Sequence, residues 1–206
     1  MTFAPRSARA LLMAATLVAV GAPVVANDQS DLRQVETSLA TTQSMTAKFT
    51  QTDGKGRSLS GDLSLKRPGR IRFEYGNGAN MLLVSNGKTL SFIDYDVGQK
   101  SNWPVAKSPL AVLLADRPDL NRIARIIDSG NPSVVVVRAR DNRHPEFGTL
   151  VLAFVKAPSA PGGLELAGWT AVDAQNRKTK VRLDGQRYNV AVPESAFSFA
   201  EPQKKR

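Results

Sequence analysis

The chain has 206 residues and contains no cysteine, which excludes disulfides, thiolate metal sites, a cysteine nucleophile and a lipid-modified cysteine. Its 28 Lys and Arg against 18 Asp and Glu give a net charge of +10, and this length suits one domain with a substantial core. The basic residues are scattered along the chain and are not interleaved with aromatics, so we expect no nucleic-acid partner.

The N-terminus has the three-part pattern of a secretory signal peptide. Arg6 and Arg9 supply its basic region, residues 10–20 form an apolar run, and small residues close it. The run is too short to span a bilayer, which needs about 20 residues. We therefore expect residues 1–26 to be removed on export. Residues 27–206 then form a single periplasmic domain, whose net charge is +8 after the loss of two arginines.

The exported part opens with a predicted helix over residues 28–45. Leu32, Val35 and Leu39 fall on one helical face, and polar residues suited to capping stand at the start. A strand is predicted to follow at residues 46–52.

Residues 59–96 predict four antiparallel strands. Apolar side chains recur at every second position, which gives each strand one apolar and one polar face. Pro68-Gly69 suits a tight turn, and a one-residue slip would point the apolar set outward, so residues 67–69 form the first loop. The predicted register pairs Leu65 with Ile71, Leu63 with Phe73, and Gly61 with Tyr75.

The second turn of this meander is predicted at Asn86-Gly87, which is a type I′ signal. It places Leu83 opposite Leu90 and Met81 opposite Phe92. Charged residues alternate with the apolar ones, so we expect the outer face to meet water. The charged positions are Asp62, Arg70, Arg72 and Glu74.

The second half begins with a short apolar helix and ends with four strands. Ser108-Pro109 has the pattern of an N-cap followed by proline at the first helical position, and another helical turn or two is predicted at residues 119–127. The strands are predicted at residues 134–140, 150–156, 164–174 and 178–190, with a turn or bulge at Asp184-Gly185. A sheet of roughly eight to ten antiparallel strands tends to curl, so the apolar helix is expected to cover its concave side.

Motifs for catalysis are missing from the sequence. His144 is predicted to lie in an exposed loop, and Gly-x-Ser-x-Gly does not occur. Gly87-Lys88-Thr89 resembles the end of a phosphate-binding loop, but Leu82 stands where the first glycine is required. Asp94 and Asp96 are interpreted as turn formers. We therefore predict no catalytic residue, no metal, no cofactor and no enzymatic activity.

Several short motifs, in order along the predicted domain, resemble the LolA-type outer-membrane lipoprotein carriers of the periplasm. The combination of Lys-Arg-Pro with Asn-Gly-Lys at this spacing is fairly specific, whereas each motif alone is weak. The motifs are Phe49-Thr50-Gln51, Gly61 to Leu65 with Lys66-Arg67-Pro68, residues 70–75 and 84–90, Tyr95-Asp96 with Gln99, Ser108-Pro109-Leu110, and Phe197-x-Phe199 with Pro202 as a closing strand.

The resemblance implies a mainly β fold with some α, namely an incomplete antiparallel β-barrel whose short helices form a lid over an apolar cavity. It implies a monomeric carrier that binds the acyl chains of lipoproteins. The cargo would come from an inner-membrane ABC-type release complex and go to an outer-membrane acceptor.

The resemblance also implies roles for individual residues. Arg67 matches a rim arginine that latches the lid to the barrel, although an ordinary turn arginine is the alternative. The lid helix would carry Leu110, Leu113 and Leu114. The cavity wall would comprise Leu63, Leu65, Ile71, Phe73, Tyr75, Met81, Leu83, Leu90 and Phe92, for which plain core packing is the alternative.

Two departures from the family pattern keep other functions open. Ser91 stands where many relatives carry tryptophan, and the chain ends soon after Pro202. A shuttle for another lipid is one alternative. A sensor that uses the same half-barrel to regulate a membrane partner is the other, but such sensors usually carry a second domain, for which this chain has no room.

Overall fold

The computed structural model describes residues 25–76 and 78–203, so the predicted signal peptide lies outside the described residues except for its last two positions. Helix α1 (Val25–Thr41) is followed by β1 (Ser44–Asp53), β2 (Ser58–Lys66), β3 (Arg70–Tyr75), β4 (Met81–Asn86), β5 (Thr89–Asp94) and β6 (Gln99–Pro104). Helix α2 (Ala111–Leu114) then precedes β7 (Ala124–Ile127), β8 (Val134–Ala139), β9 (Thr149–Lys156), β10 (Leu164–Val172) and β11 (Lys178–Tyr188).

All eleven strands form one open antiparallel sheet in the order β6-β5-β4-β3-β2-β1-β11-β10-β9-β8-β7. The sheet is strongly curled. The rings of Phe73 on β3 and Trp169 on β10 lie 6.0 Å apart, although three strands separate β3 from β10. In a flat sheet, strands four places apart would be separated by roughly 19 Å. The predicted incomplete barrel is therefore present, and its two edges, β6 and β7, are consecutive in the chain.

The register of the first predicted hairpin is confirmed, whereas that of the second is wrong by two residues. Leu65 pairs with Ile71 and Leu63 with Phe73. In the second hairpin, however, Leu83 pairs with Phe92. The loop there is centred on Gly87-Lys88, because the Asn86 side chain accepts hydrogen bonds from the N–H groups of Lys88 and Thr89. A shift of two residues leaves each side chain on its predicted face.

The hairpin shift also changes two other predicted partners. Met81 lies opposite Asp94, and Leu90 lies opposite Ser85.

Three further predictions of local structure are wrong. Residues 119–127 do not continue as a helix, because Ala124–Ile127 is a strand paired with β8. Helix α2 begins at Ala111, since the Ser108 hydroxyl donates back to the carbonyl of Val105 and does not cap α2. Residues 197–199 form no closing strand, because a 3₁₀ turn occupies Glu194–Phe197. The bulge predicted at Asp184-Gly185 is confirmed by a register shift between β1 and β11.

The main core lies on the concave side of the sheet. The predicted apolar face of α1 is buried there, with Val35 fully inaccessible, and the two leucines of α2 are 1% exposed. Phe49 packs edge-on against Phe73 and Tyr75, at centroid distances of 5.0 and 5.2 Å. Such aromatic pairs add to the stabilisation that apolar burial provides.

The convex face carries a second apolar cluster that the alternation pattern did not predict. Leu82, Val84 and Ile93 point outward yet are almost inaccessible, because residues 190–201 cross over them. We call residues 190–201 the C-terminal strap. It contributes Val192 and Phe197 to the cluster, so the expectation that the outer face meets water is wrong for β4 and β5.

Ion pairs and hydrogen bonds fasten the C-terminal strap to the charged outer positions of the sheet. Glu194 lies 2.7 Å from the Lys66 ammonium and 3.0 Å from the Arg70 guanidinium. Arg72 donates to the carbonyl of Ser198. Within residues 25–76 and 78–203, no helix is long and apolar enough to cross a membrane.

Candidate functional site

The central strands give the half-barrel two different ends. Strands β1 and β2 meet at Asp53 and Ser58 on one side, which we call the open end, and β1 begins at Ser44 on the other, which we call the closed end. Both helices supply side chains to the closed end. Leu39 of α1 and Leu113 of α2 meet the sheet there around a void of about 10 Å³, which is too small to matter as a binding site.

We call the segment that joins β6 to β7, residues 105–123, the lid. Two adjoining cavities lie between the lid and the open end. The lid cavity has a volume of about 300 Å³, and its lining includes Phe73, Leu83, Leu90, Trp103, Leu110 and Trp169. The side cavity has a volume of about 360 Å³ and includes Met81 and Leu59 in its lining. Both cavities share Gln51, Tyr75 and Phe92. Apolar side chains therefore form most of the wall of the lid cavity.

The structure places six of the nine predicted wall residues around these cavities. Five line the lid cavity, and Met81 lines the side cavity. The other three, Leu63, Leu65 and Ile71, are at most 1% exposed and line neither cavity. They face the same concave side and belong to the main core cluster.

The two tryptophans of the chain are cavity residues that the sequence analysis missed. Simple alternation from Leu164 and Leu166 would put residue 169 on the opposite face. The register shifts between Leu166 and Gly168, however, and this bulge turns Trp169 inward. A side chain at Gly168 would place its Cβ 2.1 Å from the carbonyl oxygen of Val181, so glycine permits the close approach of β10 to β11.

Tyr75 brings a polar group to the wall where the two cavities meet. Its hydroxyl donates to the Gln51 side-chain oxygen at 2.9 Å. Burial raises the pKa of Tyr75 to about 12, which the hydrogen bond from its hydroxyl to Gln51 only partly offsets. The phenol is therefore neutral near pH 7, and its polar end is satisfied within the protein.

The lid, residues 105–123, joins β6 to β7 and contains α2. The three leucines predicted for the lid helix, Leu110, Leu113 and Leu114, are all buried. The loop between β2 and β3 contacts the lid through its backbone, because the N–H of Gly69 donates a hydrogen bond to the carbonyl of Leu114 at 2.9 Å.

Arg67 ties the lid to the body of the protein at the closed end. Its side chain is 5% exposed, with Nε donating to the Thr42 carbonyl at 2.8 Å and Nη1 to the Ala115 carbonyl at 2.6 Å. Thr42 follows α1, and Ala115 is the C-cap of α2. Burial lowers the pKa of Arg67 to about 10, while nearby Asp116 opposes that shift. The guanidinium thus remains charged at neutral pH.

Glu36 of α1 makes a second tie, which the sequence analysis missed. Its carboxylate accepts from the backbone N–H of Leu120 at 2.8 Å and from the side-chain amide of Asn121 at 3.3 Å. Leu120 itself is fully buried. Side chains from outside the lid therefore hold it at two places, by Arg67 just after α2 and by Glu36 just before β7.

The remaining polar residues considered in the sequence are accounted for by local structure. His144 is exposed, where its ring stacks on Phe147 and lies 3.2 Å from Glu146. Asp94 accepts hydrogen bonds from the backbone of Asp96 and Val97, as a turn former does. Across the described part of the chain, no group of three or more His, Cys, Asp or Glu residues is placed to hold a metal ion.

Comparison with known proteins matches residues 40–200 to the family described as outer membrane lipoprotein carrier protein LolA. The chain belongs to this family. It is 27% identical to an outer-membrane lipoprotein carrier protein of Chromobacterium violaceum over 197 residues, which covers 91% of this chain and 92% of the relative. It is also 27% identical to the protein of that name from Azotobacter vinelandii, with 95% of each chain covered.

Solved structures show a weaker likeness than the family sequences do. A LolA superfamily protein of Nitrosomonas europaea is 10% identical, with a TM-score of 0.46, over 84% of this chain and 97% of its own. The structure of MucB is 14% identical, with a TM-score of 0.46, over 89% of this chain and 66% of its own.

Proposed function

We propose that this LolA-family protein is a periplasmic carrier that shields the acyl chains of lipoproteins between the inner and outer membranes. The observation that carries the proposal is an apolar cavity of about 300 Å³ beneath a lid held by polar ties. A carrier of this kind performs no chemical reaction, so we also propose that the protein is not an enzyme and uses no cofactor.

The physical need for such a carrier follows from the hydrophobic effect. Each buried CH₂ group is worth about 0.8 kcal/mol, so exposing one long acyl chain to water costs on the order of 10 kcal/mol. A half-barrel whose concave wall is apolar removes most of that cost. Release then requires only an acceptor that binds the acyl chains better.

Entry of acyl chains requires the lid to move. The closed lid cavity is at the lower end of the volumes typical of ligand pockets, roughly 300–1,000 Å³. If Leu113 and Leu114 leave the closed end, the cavity gains the wall formed by Leu63, Leu65 and Ile71. We infer that these three residues are core in the closed form and contact acyl chains in the open form.

Arg67 is proposed as the latch that sets the balance between the two forms. Opening the lid breaks the hydrogen bond from Arg67 to the Ala115 carbonyl, so the free energy of that bond favours the closed protein without cargo. A hydrogen bond from a charged group contributes about 1.5–3 kcal/mol. Removing it should make cargo bind at least about tenfold more tightly and leave more slowly, because less free energy is needed to open the lid.

The proposed location and partners follow from family membership and from the predicted export signal. The protein would act as a monomer, receive cargo from an inner-membrane ABC-type release complex, and pass it to an outer-membrane acceptor. It would bind no nucleic acid.

The proposal is tested with the exported protein and membranes that contain a triacylated lipoprotein and its release complex. The expected result is a soluble one-to-one complex of carrier and lipoprotein. Arg67→Leu should retain more cargo when an acceptor is added, whereas the exposed-loop control Arg143→Leu should behave as wild type. If wild type and both variants retain cargo to the same extent, Arg67 does not act as a latch.

A second pair of variants tests the cavity itself. Ala171 lines the lid cavity, while Thr170 faces the other side of the same strand. Ala171→Trp should fill the cavity and abolish complex formation, and Thr170→Trp should not. If lipoprotein stays in the membrane with wild type while another lipid co-purifies with the protein, the function is that of a lipid shuttle. If neither cargo binds, the carrier proposal fails.

A further inference from the structure

The polar part of the cavity lining is concentrated at the open end, in two similar loops. One loop joins β1 to β2 and contains Asp53 and Arg57. The other joins β10 to β11 and contains Asp173 and Arg177. Asp53 and Arg57 line the side cavity, and Asp173 and Arg177 line the lid cavity.

The two loops have the same internal geometry. In the first, Asp53 accepts from the N–H of Lys55 and of Arg57, and its other oxygen accepts from Arg57 Nε at 2.8 Å. The third residue after the aspartate, Gly56, has φ +81°.

The second loop repeats this arrangement. Asp173 accepts from the N–H of Gln175 and of Arg177, and from Arg177 Nε at 2.6 Å. Asn176 takes the place of the glycine, with φ +59°. Asp-x-x-x-Arg is therefore used twice to build the same loop.

Sheet topology brings these loops side by side. Strands β1 and β11 are neighbours, and Asp53 pairs directly with Thr179. Two guanidinium groups thus stand along one rim of the adjoining cavities. The closed end, in contrast, is occupied by both helices, and Arg67 there is engaged by backbone carbonyls.

Each carboxylate holds its guanidinium in place without covering it. The hydrogen bond with the Arg57 side chain lowers the pKa of Asp53. Burial opposes ionisation of Asp173, but the hydrogen bonds from Arg177 outweigh it and also lower the pKa of that carboxyl. Both aspartates are therefore ionised at neutral pH. The arginine side chains remain 79% and 77% exposed.

We propose that the open end is where the polar part of the cargo leaves the cavity, and that Arg57 and Arg177 bind its carbonyl oxygens there. The inference rests on the proposed carrier function and identifies the ligand group as the ester and amide carbonyls that join acyl chains to the N-terminal cysteine of a lipoprotein. A guanidinium has five N–H donors and no acceptor, which suits the binding of carbonyl oxygens. The acyl chains extend toward the lid, and the polypeptide extends outward past the two loops.

The direction of exit is tested by crosslinking. A photo-reactive amino acid replaces Lys55 or Gln175 in the loops, or Lys88 at the closed end, and each protein is loaded with lipoprotein before irradiation. The inference predicts crosslinks to the cargo polypeptide from positions 55 and 175 and none from position 88. Crosslinks from position 88 alone would overturn it. If wild type forms no complex with lipoprotein, the carrier proposal fails, and this inference fails because it rests on that proposal.

The role of the arginines is tested with two ligands that differ only in their polar part. One is a triacylated cysteinyl peptide, and the other is a long-chain alkanol without a carbonyl group. Binding of both is followed by the fluorescence of Trp103 and Trp169, since both tryptophans of the chain line the lid cavity.

The variant that tests the arginines is Arg57→Gln with Arg177→Gln. Its control is Arg143→Gln with Arg182→Gln, which removes two other exposed arginines paired with aspartates. The test variant should weaken binding of the peptide by at least about tenfold and leave alkanol binding unchanged. An equal loss for both ligands would assign the arginines a purely structural role, and no loss for either would also contradict the inference.

Discussion

At the scale of single residues, the closest packing lies where β2 passes between β1 and β3. Gly61 pairs with Phe49 on one side and Tyr75 on the other. A Cβ at this position would lie 1.9 Å from the carbonyl oxygen of Glu74 and 2.9 Å from the Phe49 ring. Because that oxygen belongs to the backbone of a paired strand, the clash is relieved only if the strands move apart.

Gly61→Ala should therefore lower the free energy of unfolding by about 1–3 kcal/mol, as overpacking of a rigid core does. Urea unfolding of the purified protein measures it. Gly76→Ala is the matched control, since its Cβ would meet only the carbonyl of Ser60, at 3.8 Å. Equal stability of the two variants would show that β2 and β3 separate at little cost.

Tyr75 makes stability depend on pH in the alkaline range. The pKa of its phenol is raised to about 12 by burial, from an ordinary value near 10, so the folded protein keeps a proton that the unfolded chain loses. The stabilisation is complete below pH 10 and is lost as the pH rises toward 12. Between pH 10 and pH 12, wild type should lose on the order of 2 kcal/mol of its free energy of unfolding through ionisation of this phenol. Tyr75→Phe should not show this loss. Chemical unfolding at several pH values tests this, and parallel curves for wild type and variant would contradict it.

At the scale of elements, side-chain hydrogen bonds hold the lid at its middle and near its C-terminal end. The Arg67 tie acts just after α2, and the Glu36 tie acts at Leu120, close to the start of β7. These ties come from different parts of the chain, namely the β2–β3 loop and α1. Their separation makes it possible for the first part of the lid to open while the second part stays attached.

Glu36→Ala should loosen the second part of the lid without disturbing the first. Loss of the carboxylate leaves the N–H of buried Leu120 without its acceptor, at a cost of about 1 kcal/mol. Hydrogen exchange should therefore speed up at residues 116–123 and remain unchanged at residues 105–115. Arg33→Ala, on the exposed side of α1, is the control. Faster exchange throughout residues 105–123 would mean that the lid opens as one unit.

The sequence was sufficient to predict which face of each early strand is apolar, because alternation of period two survives any shift of two residues. It placed Phe73, Leu83 and Phe92 on the concave side correctly, even though the second hairpin turns one position later than predicted. It did not reveal Trp169, because the bulge at Gly168 reverses the alternation and depends on the approach of β11.

The tertiary contacts of the lid and of the C-terminal strap were beyond the reach of local patterns. Glu36 meets Leu120 across 84 positions of sequence, and no short motif marks that pair. The same holds for Phe197, which the family resemblance assigned to a closing strand. It instead covers Leu82 and Val84 from outside the sheet. Only the folded arrangement brings these residues together.

At the scale of the whole molecule, charge is expected to govern encounters with membrane partners. The expected exported form, residues 27–206, carries a net charge of +8, so the proposed partner surfaces that receive it should be acidic. Salt screens charges over about 8 Å at physiological ionic strength and over shorter distances as the salt concentration rises. The rate of cargo transfer should therefore fall as salt increases, which stopped-flow measurement of association would show. A rate that does not respond to salt would exclude electrostatic steering.

The position of β11 in the middle of the sheet sets the order in which the protein can be completed. Strand β1 is the first strand to be synthesised, but it pairs with β11, which is the last. The centre of the sheet, where Phe49 lies opposite Leu183, therefore forms only after β11 has been synthesised. Contacts so distant in sequence form late and make folding slow. Until then β1 presents an unpaired edge, and the wall contributed by β10 has no fixed position opposite β3. A nascent or truncated chain therefore has no enclosed cavity, and the proposed capacity to hold lipid would arise only when synthesis is nearly finished.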